Sequence, residues 1–196
     1  MLSVLIATED SERPLLTTLA ALVPGAAAGA IREVIVADAG SHDQTQEIAD
    51  VAGCRIVVLP AASPAARLKA AAAVARGPWL MFLEPGVVPD QPWIAEVTRF
   101  VEAADRAPEG AARVAVFRPS APADAVRPTL AEAVALLRAT LGRPRPEQGL
   151  IISKRNYERL GGHRADAPDA RTELVRRIGR RRTVMLRCGV VQTSME

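Results

Sequence analysis

The 196-residue chain has few aromatic residues, few cysteines and very few lysines. Aromatic side chains make up only 3% of it, which argues against a platform on which the bases of single-stranded nucleic acid would stack. The two cysteines, Cys54 and Cys188, cannot form a disulfide framework or a four-ligand zinc site, so we expect buried thiols in a reducing compartment. Lys69 and Lys154 are the only lysines, and the other basic side chains are arginines, whose forked donors suit phosphate and carboxylate groups.

Long hydrophobic runs are also missing. The longest runs, 2–7 and 79–83, fall far short of the roughly 20 apolar residues that a membrane-spanning helix needs. The N-terminus lacks the basic region and the long apolar core of an export signal, so we expect a cytoplasmic protein that at most touches a membrane surface. The remaining composition, 49% hydrophobic and 24% charged with a net charge of +3, is typical of a globular protein, and the length favours one domain.

Short apolar runs alternate along the chain with segments of helical periodicity. The runs predict strands, and the periodic segments between them predict helices. Because strands that alternate with helices form a mostly parallel sheet covered on both faces, the predicted fold class is α/β. Ser41 and Gln44 have the spacing of a capping box, which predicts the start of the second helix. The predicted strands are 2–7, 33–38, 55–59, 79–83, 112–117, 149–153 and 183–187, and the predicted helices are 11–24, 41–52, 63–76, 89–104, 128–141, 155–160 and 169–178.

Ligands of such sheets bind beyond the carboxyl ends of the strands. This rule places the candidate site in four segments, residues 8–9, 38–41, 60–63 and 84–86. Asp38 ends a hydrophobic strand there, and its carboxylate could accept hydrogen bonds from the ring N–H or the hydroxyl groups of a ligand. The alternative is an aspartate that bonds the backbone of its own turn, and the spacing alone favours this second interpretation.

The order of these segments resembles that of family 2 glycosyltransferases. Residues 34–45, VIVADAGSHDQT, are similar to the V-V-D-x-G-S-x-D-x-T signature of that family, and residues 3–9 resemble its first strand. Residues 73–83, AVARGPWLMFL, are similar to its A-x-G-D-W-[IL]-L-F-L segment. Each motif is weak alone, but they keep the family's order over essentially the whole chain, which looks most similar to short, soluble bacterial members. The segments that resemble the acceptor-side half of the family are 148–153, 157–162 and 173–182.

The resemblance implies a single GT-A domain with a nucleotide-binding half at about 1–118 and an acceptor-side half at about 119–196. It also implies inverting transfer of a sugar from a nucleotide-sugar donor to an acceptor, with Mn²⁺ or Mg²⁺ as the cofactor. By their positions in the family motifs, the nucleotide-binding candidates are Thr8, Glu9, Asp38, Gly40, Arg67 and Glu84. The acceptor-side candidates are Gln148, Gly149 and His163, and the catalytic candidates are Glu173 and Asp169.

The chain departs from the family at the metal position and at the base position. Gly86 stands where the family has an Asp that binds the cation, and a glycine offers no side-chain oxygen to a metal. Glu84, two residues earlier, is the candidate replacement ligand. Arg171 stands where the family has the Asp that takes the acceptor proton, and losing such a group lowers a rate by about 10²–10⁴-fold. Mn²⁺ or Mg²⁺ is therefore a doubtful cofactor.

Two functional hypotheses follow from these departures. In the first, the protein is a weak or metal-independent transferase in which Arg67, Lys69 and Arg171 supply positive charge for the departing phosphate. The alternative for these three side chains is a solvated helix face. In the second hypothesis, the protein is an inactive pseudo-glycosyltransferase that acts as a binding or regulatory protein. A nucleotidyltransferase is disfavoured because no glycine-rich phosphate loop follows the first strand.

The arginines at 176–182 form the densest basic run. Related glycosyltransferases carry a similar element and arginine suits a helix C-terminus, which favours a structural or phosphate-facing role over contact with nucleic acid or an anionic membrane. His163 could contact an acceptor, although packing is favoured, and Trp79 and Trp93 are expected in the core. The predicted partners are a nucleotide or nucleotide sugar and an unidentified acceptor, with no nucleic acid, and a homodimer is the default expectation.

Overall fold

The computed structural model of the chain describes residues 1–107, 110–119, 149–165 and 170–192. The predicted helix at 128–141 lies outside these residues, as do Gln148 and Asp169. The strands of the described part are β1 (Leu2–Thr8), β2 (Ile31–Asp38), β3 (Arg55–Val58), β4 (Trp79–Leu83), β5 (Val87–Pro89), β6 (Val114–Pro119), β7 (Leu150–Ser153) and β8 (Thr183–Gln192). Its helices are α1 (Glu12–Ala27), α2 (Thr45–Val51), α3 (Pro64–Val74), α4 (Trp93–Arg106), α5 (Lys154–Arg159) and α6 (Ala170–Ile178).

The strands form one mostly parallel sheet in the order β3-β2-β1-β4-β7-β6-β8-β5. Strands β1 to β4 are mutually parallel, β7 is antiparallel to β4 and β6, and β8 is parallel to β6. The predicted α/β class and the single domain are confirmed. We call the side of the sheet where β1 to β4 end the carboxyl edge, and the side where they begin the amino edge.

The core lies on both faces of this sheet, as the apolar runs predict. Every residue of β4 is buried, and alternate side chains of this strand enter two different clusters. Met81 packs with α1 and α4 on one face, and Phe82 packs with α3, α5 and α6 on the other. Trp79 and Trp93 are 1% and 2% exposed, so their predicted core positions are confirmed. This central strand is hydrophobic throughout because helices cover both of its faces.

Several predicted boundaries are wrong for identifiable reasons. Pro89 ends strand β5 instead of opening a helix, because β5 pairs antiparallel with β8, and α4 therefore begins at Trp93. Strand β8 continues to Gln192, since it pairs with both β6 and β5. Helix α1 passes through Pro24 to Ala27. In the part of the chain that the structure describes, no helix has the length and apolar character to cross a bilayer.

Candidate functional site

Four loops meet at the carboxyl edge. Thr8 pairs with Asp38, and Asp38 pairs with Val58 on the next strand, so the loops after β1, β2 and β3 start side by side. Strand β4 ends next to them, because Leu83 pairs with Ile6 of β1. The four segments that the sequence places in one site therefore lie along one edge of the sheet.

Asp38 is the most completely bonded carboxylate of this edge. It is fully buried, and its Oδ1 accepts hydrogen bonds from Thr8 Oγ1 at 2.7 Å and Ser41 Oγ at 2.6 Å. Its Oδ2 accepts from the backbone N–H groups of Gly40 and Ser41 and from Gln46 Nε2, at 2.7–2.9 Å. Five donors exceed the roughly four lone-pair positions of a carboxylate. The structure thus supports the interpretation of Asp38 as an aspartate that shapes its own loop, and contact with a ligand stays a prediction that requires one of these bonds to break.

The capping-box prediction is wrong for the same reason. Ser41 Oγ donates to Asp38 and accepts from the backbone N–H of Asp10 at 2.9 Å, so it is not available to helix α2. The helix begins four residues later, at Thr45. Asp43 Oδ1 accepts hydrogen bonds from the backbone N–H of Thr45 at 3.0 Å and from the Thr45 hydroxyl at 2.5 Å. Asp43 therefore fixes the first turn that Ser41 was expected to cap.

The loop after β1 is fastened to the loop after β2 by polar bonds. Asp10 has a positive φ of 42°, which aspartate tolerates better than most residues, and its Oδ1 accepts the backbone N–H of His42 at 2.7 Å. The backbone N–H of Ser11 donates to Thr45 Oγ1 at 2.8 Å, and that of Glu12 donates to Asp43 Oδ2 at 3.0 Å. We call residues 9–12 and 40–45 together the rim loops. They form one bonded unit beside the end of β1.

Three acidic groups with lowered pKa values share this pattern of donors. Burial acts to raise the pKa of Asp38, but the hydrogen bonds from Ser41, Thr8 and Gly40 outweigh it and hold the pKa below its ordinary value of 3.8. Burial also acts to raise the pKa of Asp43 and of Glu33. Hydrogen bonds from Thr45 and Glu12 outweigh burial at Asp43 and lower its pKa. Hydrogen bonds from the Ser3 hydroxyl and the Arg76 backbone N–H lower the pKa of Glu33 in the same way. Each group therefore binds its proton more weakly in the folded chain than in the unfolded chain.

We expect the free energy of unfolding to fall as the pH drops below about 4. A group with a lowered folded-state pKa stabilises the fold above its ordinary pKa, and this contribution is lost as the pH falls through the lowered value. Urea unfolding at a series of pH values from neutral down to acid measures the slope. Asp38→Asn should flatten it, and stability that rises on acidification would contradict the assignment.

Arg67 is a buried cation at the carboxyl edge. It lies in the first turns of α3 and is only 2% exposed, so a solvated helix face is the wrong description of this side chain, whereas Lys69 is exposed. Its Nη1 donates to the backbone carbonyl of Thr8 at 2.6 Å, and its Nη2 lies 3.3 Å from Glu9 Oε2. Glu9 is 70% exposed, and Arg67 Nε is buried with no hydrogen-bond partner among the described residues. Within the described ranges, the one carboxylate paired with this buried cation is thus a solvated one.

The loop after β4 does not fit a resident divalent cation. Gly86, at the position of the family's metal ligand, has a φ of +85° and donates its N–H to the Pro14 carbonyl. Glu84 is half-buried, and Asp90 accepts the backbone N–H of Gly189 on β8 at 2.9 Å. The residues described by the structure contain no group of three His, Cys, Asp or Glu side chains that could hold a metal ion. Since hard cations take several oxygen ligands, Glu84 by itself does not make a site.

Gly149 occupies a tight corner between β7 and β4. Its φ is +62°, and a Cβ added there would lie 2.8 Å from Leu83 Cδ2 and 3.0 Å from Phe117 Cδ2. A glycine is therefore required by packing and by the backbone at this position. Its contact with an acceptor stays a prediction.

His163 is a core residue. It is 1% exposed, its Nδ1 lies 2.8 Å from the Tyr157 hydroxyl, and its ring contacts Phe82 edge-on at a centroid distance of 4.8 Å. Burial raises the pKa of Tyr157 to about 12, so that hydroxyl stays protonated at neutral pH. These contacts support the packing alternative for His163, and its contact with an acceptor stays a prediction.

Glu173 lies in the first turn of α6, whose last turn leads to the start of β8 at the amino edge. The first turn therefore points toward the carboxyl edge. Glu173 Oε1 lies 2.8 Å from Arg177 Nε, and Arg177 also donates to the backbone carbonyls of Leu160 and Gly162. The predicted structural role is thus confirmed for Arg177. Glu173 Oε2 is buried without a hydrogen-bond partner in the described part of the chain.

Sequence reasoning misses the roles of Asp10, Asp43 and Gln46. The signal for Asp43 is present, because Asp43 and Thr45 occupy the D-x-T positions of the family signature. Asp10 carries no comparable signal, since its bond to His42 arises only when two loops distant in sequence become neighbours. Gln46 bonds Asp38 across the β2–α2 connection, but no motif position points to it.

Comparison with known proteins identifies the sequence family and the fold. The sequence model described as "Glycosyl transferase family 2" matches residues 3–147. No curated protein sequence matches the chain. Among solved structures, S. aureus TarS 1-349 in complex with UDP-GlcNAc has a TM-score of 0.70 at 15% identity and covers 100% of this chain and 59% of its own.

Two further structures share the fold at similarly low identity. The mannosyltransferase PcManGT from Pyrobaculum calidifontis, in complex with GDP-Man and Mn²⁺, has a TM-score of 0.72 at 14% identity, covering 100% of this chain and 57% of its own. The third structure is glucosyl-3-phosphoglycerate synthase from Mycobacterium tuberculosis, in complex with Mn²⁺, UDP and glucosyl-3-phosphoglycerate. It has a TM-score of 0.65 at 17% identity, and the match covers 94% of this chain and 68% of the synthase chain. The chain thus spans about 60% of the length of the first similar structures.

Proposed function

Because this chain belongs to glycosyl transferase family 2, we propose that it binds a nucleotide sugar at the carboxyl edge and transfers the sugar to an acceptor without a resident metal ion. The single observation that supports this proposal most is the buried guanidinium of Arg67 beside the end of β1. The similar structures hold UDP-GlcNAc, or GDP-Man with Mn²⁺, on the same fold.

The positive charge at this edge comes from the protein itself. A nucleotide diphosphate is an anion, and it leaves with more negative charge on its terminal oxygen than it had in the donor. A fixed guanidinium stabilises such charge without needing to reorganise, and its stabilising effect is largest where water is excluded. Arg67 meets both conditions, since α3 holds it and its side chain is almost completely buried. Its solvated partner Glu9 can exchange for a ligand anion more easily than a buried carboxylate could.

Glu173 is the described candidate for the group that accepts the acceptor's proton. In the transfer step, the bond between the sugar's anomeric carbon and the diphosphate oxygen breaks, and a bond from that carbon to the acceptor oxygen forms. The acceptor proton then passes to a carboxylate, for which Glu173 Oε2 has no other hydrogen-bond partner among the described residues. Asp169, outside the described part, is the second candidate.

Calorimetric titration of UDP and GDP, each with excess Mn²⁺ and with EDTA, tests the proposal. We expect one nucleotide to bind with affinities that agree within about twofold in the two buffers, because charge from Arg67 does not depend on a cation. An affinity that rises tenfold or more with Mn²⁺ would contradict the metal-free site. If neither nucleotide bound, the proposed donor site would be wrong. If a nucleotide bound but no sugar was transferred from any donor, the proposed transferase step would be wrong.

A further inference from the structure

A cluster of arginines lies at the amino edge, on the opposite side of the sheet from the proposed donor site. Strand β7 ends there, and β6 and β8 begin there, since Val114 pairs with Ile152 of β7 and with Thr183 of β8. The residues just outside these three strand ends are basic. Adjacent strands lie about 4.8 Å apart, so side chains that flank three neighbouring strands share one small area. We call this set the arginine edge: Arg113, Arg155, Arg180, Arg181 and Arg182.

The side chains of the arginine edge are exposed and unpaired within the part of the chain that the structure describes. All five side chains are exposed, and none of them forms an ion pair with another described residue. Glu158, the acidic residue of α5, lies 4.0 Å from Lys154 Nζ instead. Asp105, which is also near this edge, accepts the Trp79 indole N–H at 3.1 Å. Among the described residues, no carboxylate is therefore paired with these five guanidinium groups.

This position changes the interpretation of the arginine run. Arg180, Arg181 and Arg182 form the turn before β8, at the end of the sheet remote from the rim loops, so they do not face a donor phosphate at the carboxyl edge. The carboxyl edge carries acidic side chains instead, among them Glu9 and Asp10. The clustered arginines of the amino edge are thus separated from the rim residues Glu9 and Asp10, and such an uneven charge distribution orients a protein in an external field.

We propose that the arginine edge binds an anionic phospholipid surface. Guanidinium groups match phosphate geometry, and clustered basic residues bind anionic lipid headgroups through charge density alone. A nucleic acid surface fits less well, because four of the five arginines lie at strand ends or in a three-residue turn, and the short helix α5 contributes only Arg155, so no basic helix is available to enter a groove. The aromatic side chains Trp79, Tyr157 and Phe117 are all buried, so they offer no stacking surface beside the arginines.

Sedimentation with vesicles tests this proposal. The vesicles are pure phosphatidylcholine, or phosphatidylcholine with one third phosphatidylglycerol. We expect the protein to bind only the anionic vesicles and to be released at high salt. Each arginine near such a surface strengthens binding by about fivefold, so the triple variant Arg180→Gln, Arg181→Gln, Arg182→Gln should bind about 100-fold more weakly.

A variant with the same change in charge serves as the control. Arg13→Gln, Lys69→Gln and Arg99→Gln lie on α1, α3 and α4, away from the arginine edge, and should leave vesicle binding within about threefold of the unchanged protein. The unfolding midpoint of each triple variant shows that the fold is intact. Equal losses in the two variants, or no binding of anionic vesicles by the unchanged protein, would overturn the proposal. Tighter binding to a short RNA than to anionic vesicles would also overturn it, in favour of nucleic acid.

Discussion

Replacing Asp38 by Ala is expected to lower the free energy of unfolding by about 3–5 kcal/mol. The substitution removes the acceptor of five hydrogen bonds, each to a charged group, and leaves their donors in a buried place. Hydrogen bonds to charged groups contribute about 1.5–3 kcal/mol each, but bonds that share one acceptor are not additive. Asp38→Asn keeps one oxygen acceptor and should lose less. Urea unfolding at neutral pH measures both values.

Asp50→Ala is the matched control for this prediction. Asp50 is an exposed residue of α2, and its removal should change stability by no more than about 0.5 kcal/mol. If Asp38→Ala and Asp50→Ala had similar effects, Asp38 would not be the residue that holds the loops after β1 and β2 together. The nucleotide affinity of Asp38→Asn adds a second readout, because a displaced rim would also weaken binding at the carboxyl edge.

Replacing Arg67 by Met is expected to weaken UDP or GDP binding by about 30-fold or more, with little change in stability. Removing one partner of a desolvated charge pair costs about 2 kcal/mol or more, which corresponds to that factor in the dissociation constant. Met fills a similar elongated space and the partner carboxylate of Glu9 stays solvated, so we expect a loss of less than about 2 kcal/mol in unfolding, mainly from the lost hydrogen bond to the Thr8 carbonyl. Calorimetric titration in EDTA and urea unfolding separate the two effects.

Two companion variants make the Arg67 prediction specific. Lys69→Met removes the same charge from the same helix, but at an exposed position, and should change the affinity by less than about twofold. Glu9→Gln removes the solvated carboxylate that competes for the guanidinium, and should raise the affinity by up to about fivefold. If Glu9→Gln weakened binding as much as Arg67→Met, the pair would serve only to hold the loop after β1.

The fold can be predicted from the sequence because each central strand is an apolar run buried on both faces. Strand β4 illustrates this, since its five residues WLMFL are all buried and sit between two helical layers. The errors occur where pairing partners are remote. Strand β5 has three residues, one of them a proline, and it exists because β8 lies beside it about a hundred positions later. No local pattern predicts such a strand.

The sequence predicts where the site lies but not the contacts of its side chains. Topology places the four loops correctly, because parallel strands end at the same edge. The state of each side chain depends on contacts between loops. Ser41 bonds Asp38 and Asp10 in preference to a helix, and Arg67 is buried although an arginine in an alanine-rich helix suggests a solvated face. His163 is likewise buried, with its ring hydrogen-bonded to Tyr157 and packed against Phe82.

The bonding between the rim loops also has a consequence for the thermodynamics of recognition. Loops usually lose conformational freedom when a ligand orders them, and this loss subtracts from the affinity. Here hydrogen bonds within the chain already fix Asp10 and Ser11 to Ser41, His42 and Thr45. A ligand that binds against these loops meets a preorganised surface, so little of its interaction energy is spent on ordering them, and the enthalpy of its contacts is retained as affinity.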